Sequence, residues 1–151
     1  MENLQTDNTQ RFERKYVIEP NKAWIFRSML IEKKFTKVFS TRQVLSLYFD
    51  TIDHKFFKEN IEGVGIRIKP RLRWYQHKDE TNESPIRTVL ELKRKKGFVG
   101  TKLQFKLEKY NNIYELIEKV NNFDFQNKIS NIIKRQVFPV LITSYEREYY
   151  L

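Results

Sequence analysis

Val64-Gly65-Ile66-Arg67-Ile68-Lys69-Pro70-Arg71-Leu72-Arg73-Trp74-Tyr75 alternates basic with apolar or conformational residues one for one. A strand repeats every two residues, so Arg67, Lys69, Arg71 and Arg73 share one face, and Ile66, Ile68, Leu72 and Trp74 share the other. At a rise of about 3.3 Å per residue, neighbouring cations on that face stand roughly 7 Å apart and repel one another unless a polyanion lies along them. The spacing suits a row of phosphates. An exposed edge strand whose charges serve solubility and block edge-to-edge pairing has the same alternation.

Working outward, a polar loop follows at 76–85, and a second β-rich run extends from Ile86 to Lys95, so the two runs read as an antiparallel hairpin. On the second run Val89, Glu91, Lys93 and Lys95 face one way and Leu90, Leu92 and Arg94 the other. Thr101 to Leu107 alternates again, with Lys102, Gln104 and Lys106 opposite Leu103, Phe105 and Leu107. Upstream, Val44 to Phe49 is a strand in which Val44, Ser46 and Tyr48 alternate with Leu45, Leu47 and Phe49. A short helical turn over 53–60 is expected to carry Phe56 and Phe57 inward. Arg11 to Ile18 alternates as a charged strand ended by Pro20. Asn21 opens a helix to about Lys34, with Trp24, Ile25, Met29 and Ile31 or Phe35 as its buried stripe. Residues 112–121 and 125–137 switch to helical spacing, Pro139 ends the second helix, and Leu141 to Tyr150 alternates with Thr143, Tyr145, Arg147 and Tyr149 on one face.

The chain has 151 residues, 40% of them hydrophobic, which is enough for one domain with its own core. Residues 1–10 read as a disordered polar tail and 11–151 as the domain. Twenty-nine Lys and Arg against nineteen Asp and Glu give a net charge of +10 and favour an anionic partner. The absence of cysteine excludes a disulfide scaffold and thiolate metal sites, and His54 and His77 lack ligand spacing. No window approaches 18 consecutive apolar residues and the start is not signal-like, so a soluble, cytoplasmic chain without a membrane segment is expected.

The charged faces of five of the candidate strands collect Lys15, Arg67, Lys69, Arg71, Arg73, Lys93, Lys102 and Arg147, accompanied by Glu13 and Glu91. Inward cations on a concave or closed sheet are costly without an anionic ligand, and Arg grips phosphate bidentately. The two carboxylates suggest a divalent metal shared with phosphate oxygens.

In chain order, RFERKYVI (11–18), LYFDT (47–51), RLRWY (71–75), LELK (90–93) and SYER (144–147) resemble the VTC domain, the polyphosphate polymerase branch of the CYTH or triphosphate tunnel metalloenzyme superfamily. The resemblance covers Arg11 to Arg147. It implies an α+β fold: an antiparallel β-tunnel with flanking helices, whose basic interior holds ATP or another nucleoside triphosphate, or inorganic polyphosphate, beside Mn2+ or Mg2+. It also implies transfer of the terminal phosphate of ATP to a growing chain. By resemblance Lys15, Arg71, Arg73, Lys93 and Arg147 are the catalytic cations and Tyr145 binds substrate, and Arg67 and Lys69, which extend the same face, are the next substrate-binding residues. Glu13 is the carboxylate offered to the metal. Family members continue beyond the Y-x-R motif, so an incomplete tunnel is expected over these residues. A noncatalytic module for polyphosphate or inositol phosphate, and a triphosphate hydrolase, are the alternatives. Nucleic-acid binding ranks third, because no helix-turn-helix, RNP or zinc signature accompanies the charge.

Overall fold

Strands form where an alternating segment finds a neighbouring ladder, and the computed structural model shows which segments do so. It describes residues 4–7, 14–77, 84–97 and 99–151. Among these, six strands make one antiparallel sheet: β1 (Leu4–Asp7), β2 (Arg42–Asp50), β3 (Ile66–His77), β4 (Ile86–Lys96), β5 (Val99–Tyr110) and β6 (Phe138–Arg147). Their order is β1-β5-β4-β3-β2-β6, with the basic strand β3 in the interior rather than at an edge. The sheet is open: β1 and β6 are its two edges and do not pair with one another. The fold is α+β, and the strands do not close into a barrel.

Most apolar residues of β2, β3 and β4 share one face, while Val44 and Val89 lie on the face that carries Arg71 and Arg73. Leu47 and Phe49 of β2, Leu72 and Trp74 of β3, and Leu90 of β4 are buried together with Phe56, Leu116, Val120, Phe125, Ile129 and Val137. These last residues belong to, or adjoin, three helices that cover that face: α2 (Lys55–Ile61), α3 (Ile113–Asn121) and α4 (Phe123–Ile133). Asn112 opens α3 by accepting a 2.9 Å hydrogen bond from the Glu115 amide, and Asn122 opens α4 by accepting one of 2.8 Å from the Asp124 amide. Lys134 ends α4 in the left-handed region at φ 58°. That helix stops short of Val137, which instead packs as a buried residue just ahead of β6. Pro139 lies inside β6, opposite Phe49, where the ladder shifts register. An edge strand with a bulge tolerates the missing amide donor.

The LYFDT segment acts locally. Asp50 is buried, and its carboxylate accepts from the amides of Thr51 (2.7 Å), Phe56 (2.9 Å) and Phe57 (2.9 Å). It therefore ties the first turn of α2 to the end of β2 and turns Phe56 into the core. Phe57, expected inward, is exposed.

Three other expectations change. Residues 14–19 form no strand, and Tyr16 and Val17 are 77% and 102% exposed. The edge beside β5 is taken by Leu4–Asp7, within the stretch read as a disordered tail, and 14–19 pairs with none of the described strands. The helix after Pro20 is present as α1 (Ala23–Glu32), but it buries no residue, and its Trp24, Ile25, Met29 and Ile31 are exposed. Of the stripe expected on α3, Leu116 and Val120 are buried and Ile117 is exposed. No helix among the described residues is long and apolar enough to cross a membrane.

Candidate functional site

Register turns the separate alternations into one basic face. Arg73 of β3 lies opposite Ser46 of β2 and Val89 of β4, while Arg71 lies opposite Tyr48 and Glu91. Glu91 is in turn opposite Gln104 of β5. Two residues further along, Lys69, Lys93 and Lys102 face one another across three neighbouring strands, with Asp7 as the register partner of Lys102. Arg67 lies opposite Lys95, and its Nη1 donates to the Val64 carbonyl at 2.8 Å. At the other end, Tyr145 lies opposite Val44, and Arg147 opposite Arg42. Adjacent strands run about 4.8 Å apart, so the cations form a two-dimensional array and not only the single line along β3.

The centre of this array is a buried polar network. Arg71 Nε and Nη2 approach one Glu91 oxygen at 2.8 and 2.7 Å, and Arg73 Nη1 stands 3.5 Å from the same atom. Gln104 Nε2 donates to the other Glu91 oxygen at 2.8 Å. Glu91 is only 3% exposed and Arg73 8%. Burial alone would raise the Glu91 carboxyl, but Arg71, Arg73 and Gln104 hold it below the usual carboxylate value. Burial likewise opposes the Arg71 charge, and Tyr48 and Glu91 outweigh that, keeping the guanidinium above its ordinary value.

Hydroxyls complete the network on the β6 side. The Tyr48 hydroxyl accepts from Arg71 Nη1 at 3.2 Å, and Ser46 Oγ accepts from Arg73 Nε at 3.2 Å. The Tyr145 hydroxyl receives Arg73 Nη2 at 3.4 Å and Arg147 Nη2 at 3.0 Å, so it links the arginines of two non-adjacent strands. The Arg147 guanidinium also lies over the Tyr145 ring, 5.1 Å from its centroid. These contacts fix the planes of Arg71, Arg73 and Arg147 in advance, which lowers the ordering cost of gripping an anion.

Of the residues expected from the sequence, Arg67, Lys69, Arg71, Arg73, Lys93, Tyr145 and Arg147 occupy this one face. Lys15 is elsewhere in the architecture, on the exposed irregular segment at 14–19. Glu13 lies outside the described residues. Glu91, the other carboxylate suggested for a metal, is committed to Arg71 and Gln104 through both oxygens. No group of three or more His, Asp or Glu side chains suited to a metal occurs among the described residues. The described donor set therefore does not fit a protein-held divalent metal, and Glu91 acts as the arginines' counter-charge instead.

Tyr48, Ser46 and Gln104 are site residues that the motif reading passed over. Their alternation was visible, but only the β2–β3 and β4–β5 registers show that Tyr48 and Ser46 touch the arginines and Gln104 touches Glu91.

A family model, the VTC domain, matches residues 10–151. No curated protein and no solved structure matches the chain. The match spans nearly every strand and helix described above, including all of the basic face, and the chain belongs to the VTC domain family, with a polyphosphate-related function.

Proposed function

We propose that the basic face binds inorganic polyphosphate and a nucleoside triphosphate such as ATP, and that the protein transfers the terminal phosphate of the nucleotide to the chain. The observation that carries this reading is the convergence of Arg73 and Arg147 on the Tyr145 hydroxyl, beside Arg71 held by Tyr48 and Glu91 and continuous with the Lys69–Lys93–Lys102 row. A terminal oxygen of the chain attacks the γ-phosphorus, the bond from that phosphorus to the β–γ bridging oxygen breaks, and the nucleoside diphosphate leaves. Arginine forks positioned beforehand stabilise charge on the transferred group and hold the two reactants in line. In this reading the chemistry needs no covalent nucleophile. A divalent cation, Mn2+ or Mg2+, would come with the nucleotide and neutralise part of the phosphate charge, and Glu13 is the carboxylate that the sequence would offer it. A cytoplasmic location would supply the ATP.

A noncatalytic phosphate-binding module is the second reading. It is favoured by Glu91, whose carboxylate is spent on holding the arginines. Incubation with ATP and Mn2+, followed by electrophoresis of the product, separates the two. Chains longer than the primer support transfer, and tight calorimetric binding of tripolyphosphate without turnover supports the module. Failure to bind any phosphate chain would refute both. Oligonucleotides outcompeting tripolyphosphate would point to nucleic-acid binding instead.

A further inference from the structure

Arg42 is a guanidinium of the basic face that none of the family motifs contains. It opens β2 and shares a face with Ser46 and Tyr48, whose side chains touch Arg73 and Arg71. It lies directly opposite Arg147 across the β2–β6 ladder, and opposite His77 across the β2–β3 ladder. Its guanidinium sits 4.4 Å from the centroid of the Phe39 ring, and Phe39 meets Tyr149 edge-on at 5.8 Å. Arg147 lies 5.8 Å from the Tyr149 centroid and 5.1 Å from that of Tyr145. Arg42, Phe39, Tyr149, Arg147 and Tyr145 thus form a continuous ladder in which two guanidiniums are braced by three rings. Stacking fixes a guanidinium plane while leaving its edge donors available to an anion.

The ladder is itself anchored. Val38 donates to the Tyr149 carbonyl at 3.0 Å, and Thr36 and Leu151 exchange backbone hydrogen bonds of 2.8 and 3.0 Å, so the segment carrying Phe39 is tied to the chain beyond β6. The neighbouring carboxylate, Glu148, is occupied by Arg27 at 2.9 Å and Lys37 at 3.2 Å. Arg42 Nε is buried and has no hydrogen-bond partner among the described residues. A buried donor without a partner carries a desolvation cost that a phosphate oxygen would remove.

The geometry points to Arg42 as a further phosphate-binding residue that forms an anion pincer with Arg147: Arg147 also borders an anion held by Arg73 through the shared Tyr145 hydroxyl, whereas Arg42 is reached only by long phosphate chains. This rests on the polyphosphate reading above. Four residues of β3 separate Arg73 from the row containing Arg42, about 13 Å along the strand. A triphosphate held by Arg71 and Arg73 falls short of that distance, whereas an extended polyphosphate reaches it.

The test is isothermal calorimetry of the full chain with tripolyphosphate and with long-chain polyphosphate, using wild type, Arg42→Gln and Arg42→Lys. Arg42→Gln is expected to weaken long-chain binding about tenfold, the effect of one charge-assisted hydrogen bond, and tripolyphosphate binding by less than about twofold. Arg42→Lys should recover part of the loss. Equal long-chain affinity for Arg42→Gln and wild type, or equal losses for both ligands, overturns the proposal. Phenylglyoxal modification of wild type, read by mass spectrometry at Arg42, decides independently of whether the variant folds. Protection by long-chain polyphosphate but not by tripolyphosphate supports the pincer, and any other pattern refutes it. Wild type binding neither ligand refutes the polyphosphate reading itself, whereas wild type binding both with Arg42 indifferent refutes only the pincer.

Discussion

Replacing Glu91 with alanine separates a counter-charge from a metal ligand. The carboxylate is almost fully buried and holds Arg71 through two contacts of 2.8 and 2.7 Å, Arg73 at 3.5 Å and Gln104 at 2.8 Å. Glu91→Ala leaves two guanidiniums, with side chains only 15% and 9% exposed, facing each other without compensation. Removing one partner of a buried pair costs about 3–5 kcal/mol; residual solvent access at Arg71 places this case near the lower end, about 3 kcal/mol. For a domain of this size that is a fall in Tm of roughly 6–12 °C. Because phosphate can then take the place of the carboxylate, saturating tripolyphosphate should raise the Tm of the variant more than that of wild type. A double-mutant cycle with Arg71→Ala should give a coupling energy within the range of about 0.5–3 kcal/mol found for contacting residues. The measurements are thermal and urea unfolding with and without ligand. An unchanged Tm together with loss of metal-dependent phosphate binding would refute the counter-charge argument and return Glu91 to the metal.

Asp50→Ala removes the acceptor of three amides at the start of α2 and should cost about 2 kcal/mol or more, measured by urea unfolding, with tripolyphosphate affinity unchanged. Arg73→Lys keeps the charge but loses the fork that joins Ser46 to Tyr145, so calorimetry should show tripolyphosphate binding weakened by about 1–3 kcal/mol. Glu148 is pulled from its ordinary value of 4.5 to about 2, first by its hydrogen bond to Arg27, against the opposing effect of burial, and further by its hydrogen bond to Lys37. Its folded value is the lower one, so its stabilisation is present above pH 4.5 and disappears as pH falls toward 2. The Tm difference between wild type and Glu148→Gln should therefore shrink over that window, and a constant difference would remove Glu148 as its source.

Strand identity was legible because a period of two is a local property of the chain. Ile66–His77, Ile86–Lys96 and Val99–Tyr110 extend the expected runs by only a few residues, and their basic residues face the same side as expected. Helical spacing was legible for the same reason at 113–121 and 123–133. The reading failed where local pattern needs a distant partner. Residues 14–19 alternate yet join no ladder, and the apolar residues of α1 have helical spacing yet bury nothing, because pairing and burial depend on what lies alongside.

The sequence by itself determined that the chain carries an ordered set of cations, with RLRWY, LELK and SYER in the order of one family, since alternation and motif order are written along the chain. Only the tertiary structure decided which of those charges meet. Register set Glu91 against Arg71, brought Tyr145 within reach of Arg73 from 72 residues away, and placed Arg42 opposite Arg147. Those contacts depend on hydrogen-bond pairing between strands distant in sequence, which a one-dimensional pattern does not specify.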